Sequence, residues 1–283
     1  MYIGTIVEDT LKENCSFLKN EHGLSLYIKY NDKNILFDSG PSDVLIENSS
    51  KMGLNLEEID YLILSHGHFD HGGGIIPFLK KNNKAKVFIQ RHSNNNYYFK
   101  DNDDQEYIGL DPMIFTNFSN RIIFTDNTIF NVDENIFLIP NVKIEKEITY
   151  NNKSMLIKKT DNTFIQDNFE HEQAMVILDN GKYYLFSGCS HKGIINIANS
   201  VKKNFNLDKI DFLIGGLHLV DDPILKTSIK TSELDDVALY LKNNINMTYA
   251  CHCTGDPAYN YLKRELKDQI QYLRTGSEII IQQ

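Results

Sequence analysis

The sequence has no long apolar run: no stretch of its 283 residues approaches the ~18 apolar residues that a membrane-spanning helix needs. The N-terminus, Met1-Tyr2-Ile3-Gly4-Thr5-Ile6-Val7-Glu8-Asp9, has no basic segment ahead of an apolar one, so no secretory leader is expected. Cysteine is scarce. Cys15, Cys189, Cys251 and Cys253 are the four, too few for a disulfide framework at this length. Two lie beside histidines, which favours thiols in a reducing cytoplasm. Positive charge is in deficit, with a formal net charge of -9, and that argues against nucleic acid as a main partner. The acidic excess is dispersed without a long acidic tail, the usual way a protein stays in solution. These absences lead to a cytoplasmic protein that meets a small-molecule substrate, with no nucleic acid and no membrane. A homo-oligomer is compatible with them.

What is present begins with enough apolar material, 41%, to bury a sizeable core. The stretch around which the chain is organised is Leu64-Ser65-His66-Gly67-His68-Phe69-Asp70-His71-Gly72-Gly73-Gly74. The apolar run Tyr61–Leu64 before it reads as a buried strand. The glycines after it permit a tight backbone, and Ile75-Ile76-Pro77-Phe78-Leu79 reads as the start of a packed helix. The cluster therefore sits on a strand-to-helix loop, where side chains can converge on something outside the sheet. Neutral imidazole and carboxylate are the usual ligands of a borderline metal such as zinc. In an extended loop His66 and His68 fall on one side. The chain then turns, so Asp70 and His71 address a second position. Two such pairs suggest two metal ions.

Along the chain, Leu24–Tyr30 and Ile35–Asp38 read as a hairpin around Asn31–Asn34. A helix follows from Pro41 to about Met52. Lys86–Gln90 is a further strand. The region from Arg91 to Asp133 is polar and rich in Asn, Asp and aromatics. It reads either as a surface excursion or as a lid over substrate, with Tyr97, Tyr98, Phe99 and Tyr107 as its aromatic contacts. Ala174–Leu178 and Tyr183–Phe186 form a second hairpin at Asn180-Gly181. A helix from Ile194 to about Lys203 and a buried strand Ile210–Ile214 come next. A capped helix starts near Ser232 with Leu234, Val237, Ala238 and Leu241 on one face. Met247–Ala250, a helix opened by Pro257, and a strand at Glu278–Ile281 close the chain. No linker-like composition divides it, so residues 1–283 are expected to form one domain of two similar halves.

A binuclear site needs about one more protein ligand per metal. His191 and His252 each follow an apolar strand and are the candidates. Cys189 and His171 compete with them, since a thiolate also binds zinc well. Cys251 and Cys253 alternate with His252 and are expected to point into the wall. Asp38 ends a strand and is a candidate to accept the second N–H of a metal-bound imidazole. A helix-capping role is the alternative. His22, next to Glu21, and His218 are candidates to contact substrate or move a proton.

The His-x-His-x-Asp-His pattern after an apolar strand resembles the metallo-β-lactamase superfamily, and the resemblance extends over essentially the whole chain. Within it, Glu21–Ser25, Ile35–Gly40, Ser187–Ile194, Gly215–Leu219 and His252–Gly255 resemble the subgroup of 7,8-dihydropterin-6-methyl-4-(β-D-ribofuranosyl)aminobenzene-5′-phosphate synthases, also called dihydropteroate-synthase-related. The resemblance implies an α/β fold, a four-layer αββα sandwich with its site at one edge. It implies His66 and His68 on a first metal, Asp70 and His71 on a second, and His252 as the final histidine. The chain departs from many superfamily hydrolases at Gly188-Cys189, where a bridging aspartate is usual. His191 is expected to supply the missing imidazole.

The resulting expectation is a metal-dependent hydrolase holding two divalent ions, zinc first, with manganese or iron as alternatives. It would turn a metal-activated water on a small-molecule ester, phosphoester or related substrate. Asp70 would orient the nucleophile, and His218 or His22 would serve the leaving group. One rival reading is a transferase of pterin cofactor synthesis, joining a dihydropterin methyl group to a ribosylated aminobenzene phosphate. Another is an iron-dependent oxidoreductase on the same fold, which His68 disfavours because the di-iron pattern resembles His-x-Glu-x-Asp-His.

Overall fold

Two short hairpins set the architecture. In the first, Ser25–Tyr30 pairs antiparallel with Lys33–Phe37, and Tyr30 stands opposite Lys33 across Asn31-Asp32. In the second, Gln173–Asp179 pairs with Lys182–Ser187, and Asp179 faces Lys182 across Asn180-Gly181. Asn31 and Asn180 have φ of 51° and 50°. Left-handed turn residues match the right-handed twist of the flanking strands, and asparagine reaches that region readily. The first turn is tighter than expected, since Lys33 and Asn34 already belong to the strand.

The structure is a computed structural model and describes residues 1–101, 104–140, 142–146, 152–220 and 229–281. The chain divides into two compact units. The first takes residues 1–96, 108–126 and 273–283, and the second takes 97–107 and 127–272.

In the first unit a seven-stranded sheet runs in the order Glu278–Ile280, Tyr2–Val7, Ser25–Tyr30, Lys33–Phe37, Tyr61–Ile63, Lys86–Gln90, Ile122–Thr125. Its first three pairings are antiparallel and its last three parallel. Parallel strands need covered crossovers. Helices Val44–Lys51 and Ile75–Lys81 supply two, placing Leu45, Ile75 and Phe78 in one buried cluster with Leu36, Leu62 and Leu64. Tyr2–Val7 was not marked by alternation, because five of its six residues are buried.

The second unit mirrors this logic. Its sheet runs Ile270–Tyr272, Ile245–Cys251, Ile210–Gly216, Lys182–Ser187, Gln173–Asp179, Ile136–Pro140, Phe130–Asp133. Here three parallel pairings come first and three antiparallel ones follow. Helix Ile194–Phe205 buries Ile194, Ile197 and Val201, one face at helical spacing, among Leu185, Leu213 and Leu241. Helices Thr231–Asn244 and Asp256–Leu266 add Val237 and Leu262 to the same cluster. In both units a group of site candidates, His66 to His71 in the first and His191, His218 and His252 in the second, follows the carboxyl ends of parallel strands, where open α/β sheets present ligands.

The polar stretch from Arg91 to Asp133 is not one long loop. It contains a short 3₁₀ turn, Arg91–Asn94, a helix, Met113–Asn117, and the strands Ile122–Thr125 and Phe130–Asp133. Its strands Asn96–Asp101 and Asp104–Tyr107 join Phe164–Gln166 and Met155–Lys158 in a small four-stranded sheet. Residues 102 and 103 lie outside the described set. All four residues of Asp104–Tyr107 are exposed, so the strand leaves no alternation to read. Its aromatics pack on each other: Tyr98 lies edge-on to Tyr107 and Phe164, with ring centroids 5.4 and 5.2 Å away. Among the described residues no helix is long and apolar enough to cross a membrane.

Candidate metal centre

In the first unit, strand Tyr61–Ile63 delivers the chain into the histidine loop, and Leu64 N still donates to Phe88 O. His68 is extended and opens a single helical turn, Phe69–Gly72, which carries Asp70 and His71. His66, His68 and Asp70 offer ligand atoms that all lie within 4.8 Å of one another. The His66 ring centroid is 4.6 Å from that of His68 and 4.2 Å from that of His71. His66, His68, Asp70 and His71 are all buried. Four hydrophilic side chains are thus withdrawn from water onto one another, which costs free energy unless each is satisfied.

Asp38 does much of that. Its Oδ2 lies 2.7 Å from His71 Nδ1 and accepts from Ser65 Oγ at 2.7 Å, while its Oδ1 accepts from Ser65 N at 2.7 Å. Ser65 gives its hydroxyl proton to Asp38, so its oxygen is left to accept from His66 Nδ1 at 2.9 Å. One carboxylate therefore fixes the proton on Nδ1 of both His71 and His66 and turns both Nε2 atoms inward. Metal-binding imidazoles are held this way by their neighbours. Asp38 adopts a φ of 59°, a region that aspartate tolerates better than most residues.

Burial works against a charged His71, but Asp70 and Asp38 outweigh it and hold its pKa up to about 9. Asp70 Oδ2 is 3.3 Å from His71 Nε2. A pocket of this polarity favours a cation at Nε2, and its donors, imidazole nitrogen and carboxylate oxygen, are those a borderline divalent metal takes. The residues present therefore fit a metal ion.

His22 stands at the rim. Its Nδ1 is 3.2 Å from Asp9 Oδ2, its Nε2 is 3.9 Å from Asp70 Oδ2, and its side chain is 69% exposed. Asp9 also accepts from Gly23 N at 3.1 Å. Gly23 has a φ of 148°, and a Cβ there would run into the carbonyl oxygen of Asp70. Asp9 was missed in the sequence, since it follows a strand with no motif around it. Glu21 is engaged elsewhere, accepting from Ser42 Oγ at 2.6 Å.

In the second unit the loop after strand Lys182–Ser187 carries Cys189 and His191. Glu172 reaches it with both oxygens: Oε1 accepts from His191 N at 2.6 Å and Oε2 from Lys192 N at 2.9 Å. Burial raises the pKa of Glu172, and the two amides and Lys192 oppose that rise. Burial likewise lowers that of Lys192, against Glu172, Glu170 and Asp167. Asn152 donates to His191 O at 2.7 Å, and Phe169 stacks on the His191 ring at 4.5 Å. Asn152 Oδ1 also lies 3.3 Å from His191 Nδ1, and neither Glu172 nor Asn152 has a sequence signal, because a partner 19 or 39 residues away leaves no local pattern. His171 is anchored instead to Asp167, with Nε2 3.1 Å from Oδ2, and lies 4.0 Å from the Tyr97 ring.

His218 and His252 end the neighbouring parallel strands with φ of 50° and 48°. The rings of His218 and His191 are 4.3 Å apart, and His252 is buried. Cys253 does not merely face an inert wall. Cys189, His218 and Cys253 place ligand atoms within 4.8 Å of one another. Burial pushes the Cys253 thiol up, but Cys189, His218 and His252 together bring it well below its ordinary value. The four cysteines form no disulfide.

Residues 19–149 match the family described as the Metallo-beta-lactamase superfamily. The chain is 28% identical to the 7,8-dihydropterin-6-methyl-4-(beta-D-ribofuranosyl)-aminobenzene-5'-phosphate synthase of Methanocaldococcus jannaschii, across 98% of this chain and 95% of that protein. It is 27% identical to an uncharacterised protein of the same organism, across 90% and 93%. The solved structure of Tm1679, described as a metal-dependent hydrolase of the beta-lactamase superfamily, superposes with a TM-score of 0.82 at 24% identity, covering all of both chains.

Proposed function

We propose that this chain, which is similar to the metallo-β-lactamase superfamily over residues 19–149 and shares the fold, is a metal-dependent hydrolase of small-molecule esters, phosphoesters or related substrates. The observation that carries the reading is the buried set His66, His68, Asp70 and His71, with Asp38 fixing two of its imidazoles. The proposed ligands in the first unit are those four, and His191 and His252 are the proposed ligands in the second. Two divalent ions, zinc first, would supply an activated water at neutral pH and a Lewis acid for the carbonyl or phosphoryl oxygen.

The chain's own groups divide the remaining work. Asp70 accepts a hydrogen bond from the attacking water and so aims it. His22 is exposed enough to exchange protons with solvent, and Asp9 holds its Nδ1, so its Nε2 is the group to protonate a leaving oxygen. His218, the other candidate for that task, is only 4% exposed.

A second reading is synthesis of a pterin precursor. It is favoured by the full-length likeness to the Methanocaldococcus jannaschii synthase, and it would use the same metal ligands with a transferred group in place of water.

Elemental mass spectrometry of protein purified without added metal tests the first requirement. About two zinc ions per chain, with activity on a phosphodiester and ester panel that His68→Ala abolishes, is the expected result. Zinc with no hydrolysis but product formation from the pterin and aminobenzene phosphate substrates would move the assignment to the second reading. Iron would move it to redox chemistry. A fully active His68→Ala variant would overturn the metal-dependent reading itself.

A further inference from the structure

We propose that the groove along the polar face of helix Ile194–Phe205 binds a small phosphorylated polyol, a ligand of the sugar-phosphate class. The residues that line it all belong to the second unit, and the proposal does not depend on the hydrolase reading. The groove has a volume of about 400 Å³, inside the roughly 300–1,000 Å³ typical of small-molecule sites.

The helix makes one wall. Its residues Ile194, Ile197, Ala198 and Val201 are spent on the buried core. Asn196, Asn199, Ser200, Lys203 and Asn204 recur at helical spacing on another face, and all five line the groove. The helix has no acidic residue, in a chain that has 38 of them against 29 basic ones. Across from it stand Lys143 and Glu145, which follow strand Ile136–Pro140, and the apolar side chains of Pro140 and Ile129. Two ammonium groups against one carboxylate give the groove a positive balance within a chain of net charge -9. Among the described residues neither Lys143 nor Lys203 has an ion pair or a side-chain hydrogen bond.

The walls are fixed before a ligand arrives. Asn196 is 3% exposed and spends its whole amide on backbone. Its Oδ1 accepts from Glu145 N at 3.2 Å and from Lys146 N at 2.8 Å. Its Nδ2 donates to Lys146 O at 2.8 Å and to Lys192 O at 2.7 Å. The segment that carries Lys143 and Glu145 is thereby tied to the first turn of the helix. Tyr240 Oη donates to Asn199 Oδ1 at 2.6 Å, which commits that oxygen and leaves the Asn199 NH₂ for a ligand. Asn204 is committed the other way. Its Nδ2 donates to Ser200 O at 2.9 Å, and its Oδ1 is left to accept.

These groups identify the ligand by its chemistry. Ammonium groups bind phosphate as point charges, and two of them suit one monoester. Hydroxyls donate as well as accept, so a polyol matches the Asn199 NH₂, the Asn204 oxygen and the Glu145 carboxylate together. Its C–H face covers Pro140 and Ile129. An apolar acid would strip water from the amides and leave them unpaired.

The test is calorimetric titration of the full chain, as purified and in excess chelator, with glucose 6-phosphate, inorganic phosphate and glucose. Glucose 6-phosphate is expected to bind in chelator about tenfold more tightly than either of the others, the worth of roughly one added hydrogen bond. The Lys143→Ala, Lys203→Ala double variant should weaken binding about tenfold or more. Both side chains are exposed, so the change leaves folding intact. Asn199→Asp keeps the acceptor for Tyr240 and replaces the free donor with a negative charge. It should abolish binding and leave the melting temperature near that of wild type. A wild-type chain that binds no glucose 6-phosphate in chelator overturns the proposal, because binding seen only as purified belongs to the metal centre. Binding that the double lysine variant and Asn199→Asp both retain overturns it as well. Equal affinity for inorganic phosphate and glucose 6-phosphate overturns the polyol assignment, since the amides would then hold nothing.

Discussion

Asp38 Oδ2 lies 2.7 Å from His71 Nδ1, both wholly buried and 33 residues apart in sequence. The pair has a direct consequence. Asp38→Ala removes the acceptor that keeps the proton on Nδ1, and it orphans the buried Ser65 amide and hydroxyl as well. Metal affinity should fall about 10–100-fold, as for other carboxylates that support metal-bound histidines. Asp38→Asn separates geometry from protonation. An amide that keeps its oxygen on Ser65 turns its NH₂ toward His71 and so favours the wrong tautomer. Asn should therefore be nearly as damaging as Ala. Competition with a chromogenic chelator measures both, and an Asn variant of wild-type affinity would show that the tautomer does not matter.

Glu172 makes a similar argument for stability. Its two oxygens satisfy two consecutive buried amides, those of His191 and Lys192. Glu172→Ala leaves both donors without an acceptor, at about 1–3 kcal/mol each. A total loss of roughly 2–5 kcal/mol follows, set against the relief of no longer burying a carboxylate. Glu172→Gln keeps one acceptor and should lose less. Urea unfolding followed by circular dichroism ranks the three proteins, and an Ala variant as stable as wild type would mean that the clamp contributes nothing net.

Much of this was legible in the sequence where local pattern and tertiary role coincide. Lys86–Gln90 was read to the residue, and Asn180-Gly181 announced its hairpin, because a short apolar run and a turn dipeptide carry their own structure. His66, His68, Asp70 and His71 could be singled out for a different reason: so many metal-ligand residue types fall in one loop, and the fold buries all four. Asp38 was legible only as one of two alternatives, and its contacts with His71 and Ser65 decide for the supporting role. The exposed strand Asp104–Tyr107 and the strand Tyr2–Val7, buried at all but its first residue, were not legible, since neither alternates. Asp9, Glu172 and Asn152 were invisible because their work is to hold backbone or a ring across 13 to 39 residues of chain, and such partners leave no periodicity.

Gly23 should be intolerant of a side chain for a reason tied to the centre. Its amide is held by Asp9, its neighbour Leu24 donates to Asp70 O at 3.3 Å, and a Cβ would strike that same carbonyl and approach Pro41 Cδ to 2.8 Å. Gly23→Ala must therefore move the turn that carries Asp70 or leave the strained φ of 148° with a clash. About 1–3 kcal/mol of stability should be lost, together with metal occupancy. The joint loss is the diagnostic. A variant destabilised in urea but loaded with metal to the wild-type level would show that the turn yields away from Asp70.

Metal removal should weaken the protein without unfolding it. Each unit has its own buried core, one around Leu36, Leu62 and Phe78 and the other around Leu185, Leu213 and Val201, and neither core is made of metal ligands. That separates this chain from small domains that are unfolded without their ion. A cation bound only to the folded state adds stability by mass action, about 2.7 kcal/mol at a hundredfold excess over its dissociation constant. Incubation with a strong chelator should remove that increment of stability, lower the melting temperature accordingly and leave a cooperative transition, and restoring zinc should recover it. His68→Ala should melt near the chelated wild type and respond less to added zinc, because the His66, His68 and Asp70 set has lost a donor. Differential scanning calorimetry of the four samples, wild type and variant with and without chelator, makes the comparison. An equal zinc-dependent shift in both proteins would mean that the stabilising ion sits elsewhere in the chain.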